Sequence, residues 1–116
     1  MPNVLVVEDE PDILDAVVEA LSAEGHAVRV AVNGQDALDR LRNGVRTDVI
    51  VLDMMMPVMD GWQFLAAKGA DPVLASIPVI VTSAAPQKTP LGASVLLGKP
   101  FDLVRLLTTI AALAGT

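Results

Sequence analysis

Four stretches of this chain place reactive side chains directly after short apolar runs. Val4-Leu-Val-Val leads into Glu8, Asp9 and Glu10, and Val49-Ile-Val-Leu leads into Asp53. Val79-Ile-Val-Thr leads into Ser83, and Val95-Leu-Leu-Gly leads into Lys99 and Pro100. Carboxylates brought to one point repel, so they either take up protons or hold a cation. Oxygen-only ligation by one or two carboxylates, with waters completing an octahedron, is the usual habit of Mg²⁺. Lys99 is the natural counter-charge, and a hydroxyl at Ser83 can donate to a phosphoryl or carboxylate oxygen. Thr82 competes with Ser83, because alternation along a strand lets only one of the two face a common site. Plainer roles exist for each residue: acids ahead of a helix favour its N-terminus, and lysines and serines populate turns. Asp53 weighs most, since a charge between a buried strand and the largely apolar segment 54–58 needs a partner.

Apolar runs this short suit parallel strands buried on both faces. Strand and helix signals alternate along the whole chain, the pattern of βαβ units. A first helix opens at Pro11, repeats Ile13, Val17, Ala20 and Leu21 on one face, and stops at Glu24-Gly25. Val28-Arg29-Val30 alternates apolar and charged, as an edge strand with one wet face does. Asn33 caps a second helix, with Ala37, Leu38 and Leu41 inward and Asn43-Gly44 as its stop. After strand 49–52, a third helix from Gly61 to about Lys68 turns Phe64 and Leu65 inward. Strands 79–82 and 94–98 follow. A last helix, capped by Asp102, carries Leu103, Leu106, Leu107, Ile110 and Leu113 at helical spacing. An edge strand in second position and right-handed crossovers point to the flavodoxin-like order 2-1-3-4-5, a doubly wound parallel five-stranded α/β sheet. Ligands of such sheets bind beyond the carboxyl ends of the strands at the switch point, where Glu8, Asp9 and Asp53 would meet.

Composition narrows the function further. The 116 residues suffice for one domain with a real core. A formal charge of -6 argues against direct nucleic-acid binding, which needs a basic face. The absence of cysteine excludes disulfides, thiolate nucleophiles and zinc–thiolate sites. No apolar stretch approaches the roughly 18 residues of a membrane span, and the start of the chain lacks signal-peptide features. A soluble cytoplasmic domain is expected. His26 is expected at the surface and Trp62 partly buried at a helix start. The run Met54-Met-Met is expected to pack a loop rather than bind a soft metal.

The stretches Val4-Leu-Val-Val-Glu-Asp-Glu, Asp53-Met-Met-Met-Pro-Val-Met-Asp-Gly, Ile77-Pro-Val-Ile-Val-Thr-Ser-Ala and Lys99-Pro-Phe occur in this order. Together they resemble the signature of receiver domains of two-component response regulators, over residues 1–116 as one receiver domain. The resemblance implies that Asp53 accepts a phosphoryl group. It implies that Asp9 and Asp53 bind Mg²⁺ directly, with the Met55 carbonyl as a further ligand and Glu8 acting through water. Ser83 becomes the switch hydroxyl, and Lys99 contacts the phosphoryl group. The implied partners are a histidine kinase or histidine phosphotransfer protein and a downstream target protein, with no nucleic acid and no membrane. The implied activity is signalling rather than enzymatic turnover. An aspartate-nucleophile phosphatase would need an acid two residues after the nucleophile, and that residue is Met55.

Two departures from the family pattern stand out. Between Ser83 and the last strand lie Pro86, Pro90 and Gly92, and prolines this close break a helix. The fourth helix usual in the family is therefore expected to be absent or reduced. Leu96 also stands where the family usually has an aromatic residue. The loss of the helix should uncover Leu91, Val95 and Leu97 and make the 84–98 face an interface, homodimerisation included. A receiver that docks constitutively, without switching, is the alternative these departures raise. Met55 and Ala85 occupy positions where the family tunes hydrolysis, and neither side chain can orient a water, so a persistent phosphoryl group is expected.

Overall fold

The computed structural model describes residues 2–84 and 89–114. Five parallel strands form one sheet: β1 (Asn3–Val7), β2 (Ala27–Ala31), β3 (Val49–Asp53), β4 (Val79–Ser83) and β5 (Val95–Gly98). Four helices connect and cover them: α1 (Pro11–Ala23), α2 (Gly34–Arg42), α3 (Gly61–Gly69) and α4 (Leu103–Leu113). The strand order is β2-β1-β3-β4-β5, as expected from the sequence. β3 and β4 are buried at every residue, whereas β2 exposes Arg29 at the sheet margin.

Alternation along the strands divides the core between the two faces. Leu5, Val7, Ile50, Leu52, Val79 and Val81 point toward α2 and α3, where Leu38, Leu41, Phe64 and Leu65 meet them. Val4, Val6, Val49, Val51 and Ile80 point toward α1 and α4, onto Val17, Leu21, Leu106 and Ile110. Local signals set the helix ends. Pro11 opens α1, and Asn33 accepts from the Asp36 N–H at the start of α2. Asp60 and Gln63 form a reciprocal capping box on α3, and Asp102 caps α4 by accepting from Val104 N–H.

Several expectations need correction. Leu103 is exposed and does not join the buried face of α4. Trp62 is exposed rather than partly buried: the inward face of α3 is Gly61, Phe64, Leu65 and Lys68, and Trp62 falls off that helical spacing. His26 is half-buried, with its Nδ1 enclosed and unpaired. No helix connects β4 to β5 among the described residues; Ala85 and Pro86 lie outside them. The described part of that connection holds a turn over residues 90–93, in which Ala93 N–H donates to the Pro90 carbonyl at 3.0 Å. Gly92 has φ +93° there, a conformation that the third residue of such a turn reserves for glycine. Only Leu91 is uncovered as expected. Leu97 is buried beneath α4 and Val95 is half-buried on the same face, while Leu96 packs toward the α2–α3 side.

Candidate functional site

Strand register brings the reactive residues together. Val7 pairs with Leu52, so Glu8 and Asp53 emerge side by side at the carboxyl ends of β1 and β3. Ser83 pairs with Gly98, so Lys99 leaves β5 next to β4, and Lys99 N–H donates to the Ser83 carbonyl at 2.7 Å. Backbone bonds anchor each strand end to its neighbour: Glu8 N–H donates to Ala31 O, and Met54 N–H donates to Thr82 O.

Glu8 and Asp53 are only 4% and 5% exposed. Two carboxylates so deeply buried need a cation, and Lys99 Nζ supplies it, at 3.0 Å from Glu8 Oε1 and 3.2 Å from Asp53 Oδ1. The other Glu8 oxygen accepts from the backbone N–H groups of Asp9 and Glu10 at 3.1 and 3.3 Å. Burial nevertheless pushes the Glu8 carboxyl up to about 7; the Lys99 hydrogen bond opposes this, and the adjacent Asp53 reinforces it. For Lys99, burial disfavours the ammonium, but the two carboxylates outweigh it and hold its pKa above the usual lysine range. The Lys99–Pro100 peptide bond is cis.

Asp9 is exposed at the mouth, yet Glu8, Asp9 and Asp53 each place an oxygen within 4.8 Å of the others. A hard divalent cation suits this all-oxygen set, and its charge would replace that of the single lysine now serving two acids. Met55 donates its N–H to Asp53 Oδ1 at 3.3 Å, and its side chain is exposed. The two hydroxyls differ in their surroundings. Thr82 Oγ1 faces the Leu52 carbonyl of β3 at 3.5 Å, while Ser83, on the alternate side, is buried at the strand end beside Lys99.

Two features of the site lie beyond the sequence reading. Val58 has φ 68°, and Met59 N–H donates across it to the Pro57 carbonyl at 2.7 Å, which makes a γ-turn of the rare positive-φ kind. Two glycines clamp the same loop. Gly34 donates to the Met59 carbonyl at 2.9 Å, and a Cβ on Gly34 would stand 2.8 Å from that oxygen. A Cβ on Gly61 would collide with Met54 Sδ and stand 2.7 Å from Met54 Cα. Glycine spacing alone does not reveal such approaches; Pro57-Val58 between Met56 and Met59 was the available hint of a tight loop.

A doubly wound sheet whose switch point carries an acidic cluster, a lysine and a strand-end hydroxyl defines the class: a flavodoxin-like α/β module with a charged site at the carboxyl ends of its strands. Similarity to known proteins narrows that class. Residues 4–111 match the response regulator receiver domain family, and the chain belongs to it. Protein PilH of Pseudomonas aeruginosa is 34% identical over 122 residues, spanning 99% of this chain and all of the relative. The transcriptional regulatory protein PrrA of Mycobacterium tuberculosis is 38% identical over 97% of this chain, which spans only 49% of that relative. A solved structure, the receiver domain of sensor histidine kinase PA1611 from Pseudomonas aeruginosa with magnesium in its active-site cleft, superposes with a TM-score of 0.87 at 26% identity. That match covers 99% of this chain and 98% of the other. The chain is thus a receiver domain of the two-component type.

Proposed function

We propose that residues 1–116 act as one phosphoacceptor module of a cytoplasmic phosphorelay and that Asp53 carries the phosphoryl group. The observation that carries this reading is the position of the Asp53 carboxylate, buried at a strand end with Lys99 Nζ at 3.2 Å and two further acids within reach of a shared cation. The donor is a phosphohistidine on a kinase or phosphotransfer protein. An Asp53 oxygen bonds to phosphorus as the P–N bond breaks, and the departing imidazole retains the electron pair and takes up a proton. Charge in such a transfer spreads over the equatorial oxygens, so positioning and electrostatics do most of the work.

Lys99 moves from Glu8 to one phosphoryl oxygen, and the Ser83 hydroxyl donates to another. Asp9, Asp53 and the Met55 carbonyl would hold Mg²⁺, with Glu8 acting through water, and the ion would supply the remaining charge neutralisation. The magnesium in the related PA1611 receiver supports this assignment. Beside the site, a mainly apolar cavity of about 540 Å³ lies between Ile13 and Val17 of α1 and Phe101 and Leu103 after β5, with Lys99 in its wall. It suits the docking of a donor protein whose histidine must approach Asp53.

With Met55 exposed and no acid two residues beyond Asp53, the module holds its phosphoryl group rather than turning it over as an enzyme. Incubation with Mg²⁺ and a small phosphodonor is expected to add the mass of one phosphoryl group. Asp53→Asn abolishes the addition, and undiminished labelling of that variant defeats the assignment. The turn at residues 90–93 and Leu96 favour a second reading, constitutive docking without a switch. Under the phosphorylation reading beryllofluoride shifts the amide spectrum beyond the site; under constitutive docking it does not.

A further inference from the structure

We propose that the loop after β3 carries the state of Asp53 to the start of α2, with the strained backbone at Val58 as the part that changes. Resting on the phosphoacceptor reading of Asp53, this linkage names how that site signals. Asp53 itself holds the near end of the loop: its Oδ1, which Lys99 Nζ approaches to 3.2 Å, accepts from the Met55 N–H at 3.3 Å. At the far end the Met59 carbonyl accepts from the N–H of Gly34, the first residue of α2, at 2.9 Å. A Cβ on Gly34 would stand 2.8 Å from that oxygen, so the two backbones touch with no Gly34 side chain between them. The bonding continues through the helix cap. Asn33 Oδ1 accepts from the Asp36 N–H at 2.8 Å, and Asp36 Oδ2 accepts from the Val32 N–H at 3.1 Å. Val32, 52% exposed, brings this chain of bonds to the surface.

Modification of Asp53 weakens the near hold. Hydrogen bonds to an ionised acceptor are roughly twice as strong as those to a neutral one. Once one Asp53 oxygen is bonded to phosphorus, neither oxygen keeps its full charge, and the Met55 N–H is released. Met54 does not follow: its N–H lies on the Thr82 carbonyl at 3.2 Å and its carbonyl on the Gly61 N–H at 3.0 Å. Met56 keeps its side chain in the core, so a shift of Met55 turns the loop about that side chain and reaches Val58 beyond it. A β-branched residue with φ 68° persists only where its surroundings impose that backbone. Val58 is 80% exposed, so packing does not impose it; the bonds at the two ends of the loop do. Loosening one of them lets Val58 return to negative φ, and the Met59 carbonyl turns with it, away from Gly34. Two backbone arrangements held by different bonds are what a local change of charge can bias. The route runs on the α2 side of the sheet and makes no use of the connection between β4 and β5.

Amide spectra of the full chain with Mg²⁺ and beryllofluoride, which stands in for the phosphoryl group, test the proposal. Beyond the site, the largest shifts are expected at Gly34, Val32 and Asp36. Val58→Gly carries no strain at positive φ, so it is expected to bind beryllofluoride as the native chain does while reducing those shifts by ~3-fold or more. Asp53→Asn gives a second reading without phosphoryl chemistry, because a neutral amide oxygen replaces the charged acceptor of the Met55 N–H. It is expected to shift Gly34 in the native background and far less when combined with Val58→Gly. Bound beryllofluoride that leaves Gly34 and Val32 unshifted overturns the proposal. Equal shifts with and without Val58→Gly overturn it too, as does an Asp53→Asn chain in which Gly34 is unmoved. If beryllofluoride fails to bind while Asp53→Asn still shifts Gly34 through Val58, the phosphorylation reading falls and the loop linkage stands.

Discussion

Lys99 and Glu8 sit 91 residues apart in the chain and 3.0 Å apart at the carboxyl edge of the sheet. The lysine bridges to Asp53 as well, so one ammonium serves two buried acids. Lys99→Met removes the only cation this pair contacts among the described residues. Breaking a buried pair costs several kcal/mol, and proton uptake by Glu8 moderates the loss to about 2 kcal/mol. Millimolar Mg²⁺ is expected to return most of that stability, because binding to the folded state alone stabilises it. The stabilisation by Mg²⁺ should therefore be larger in the variant than in the native chain. Thermal unfolding with chelator and with Mg²⁺ measures both; equal stability of the two proteins in chelator contradicts the argument.

The γ-turn at Val58 makes a prediction of opposite sign. A β-branched residue with φ 68° is strained by roughly 1–2 kcal/mol, and Val58 is 80% exposed, so little burial is lost on truncation. Val58→Gly relieves the strain but gains chain entropy in the unfolded state, which offsets part of the benefit. A net stabilisation of about 0.5–1 kcal/mol is expected. It reads out as a higher urea midpoint with an unchanged slope. A lower midpoint shows that Val58 makes a contact outweighing its backbone strain.

What the sequence reveals of this molecule follows its periodicities. Buried parallel strands announce themselves as apolar runs, and Arg29 betrays the edge strand, so the topology and the meeting of Glu8, Asp53 and Lys99 are legible in the residue pattern alone. Trp62, expected partly buried at the helix start, instead lies at the edge of the inward face of α3 and is exposed. What stays hidden depends on distances between elements. The alternation of β5 sends Leu97 under α4 and Leu96 to the opposite face, yet whether either is covered depends on which helices exist on each side. The close approaches at Gly34 and Gly61, and the left-handed backbone at Val58, arise from how the loop after β3 is wedged between α2 and α3.

Lys68 carries the clearest pH dependence. It is 3% exposed, four residues after Phe64 on the inward face of α3, and its Nζ donates to the Ala75 carbonyl at 3.0 Å. Burial lowers its pKa below the ordinary 10.5. Between the folded value and 10.5 the unfolded chain binds more protons than the folded one, so stability rises with pH across that window. Below the window the cost of burying the ammonium is felt in full. Lys68→Met is therefore expected to stabilise the protein at pH 7 by about 1 kcal/mol, since replacing a buried charge with an apolar side chain of similar size is often favourable. The advantage shrinks as the pH is raised toward 10.5. Parallel urea titrations of both proteins at pH 7 and 10 measure it, and an advantage that grows with pH reverses the sign of the argument.

The two glycines of α3 separate helix propensity from packing within one element. Gly69 ends the helix with nothing within 4 Å of where a Cβ would project and no left-handed backbone. Gly69→Ala is expected to stabilise by about 0.5 kcal/mol, less than the full interior difference because the position is terminal. Gly61 opens the same helix against the end of β3, where a Cβ would meet Met54 Cα at 2.7 Å. A backbone atom cannot swing aside as a side chain can, so Gly61→Ala must push α3 away from the strand that presents Asp53. The bond from Gly61 N–H to the Met54 carbonyl, 3.0 Å long, would be strained by the same shift. A loss of about 2–3 kcal/mol is expected from overpacking of this kind, together with weaker Mg²⁺ binding as the loop at Met55 is displaced. Gly69→Ala should leave Mg²⁺ binding unchanged. If both variants shift stability in the same direction, helix propensity rather than the α3–β3 contact governs this end of the site.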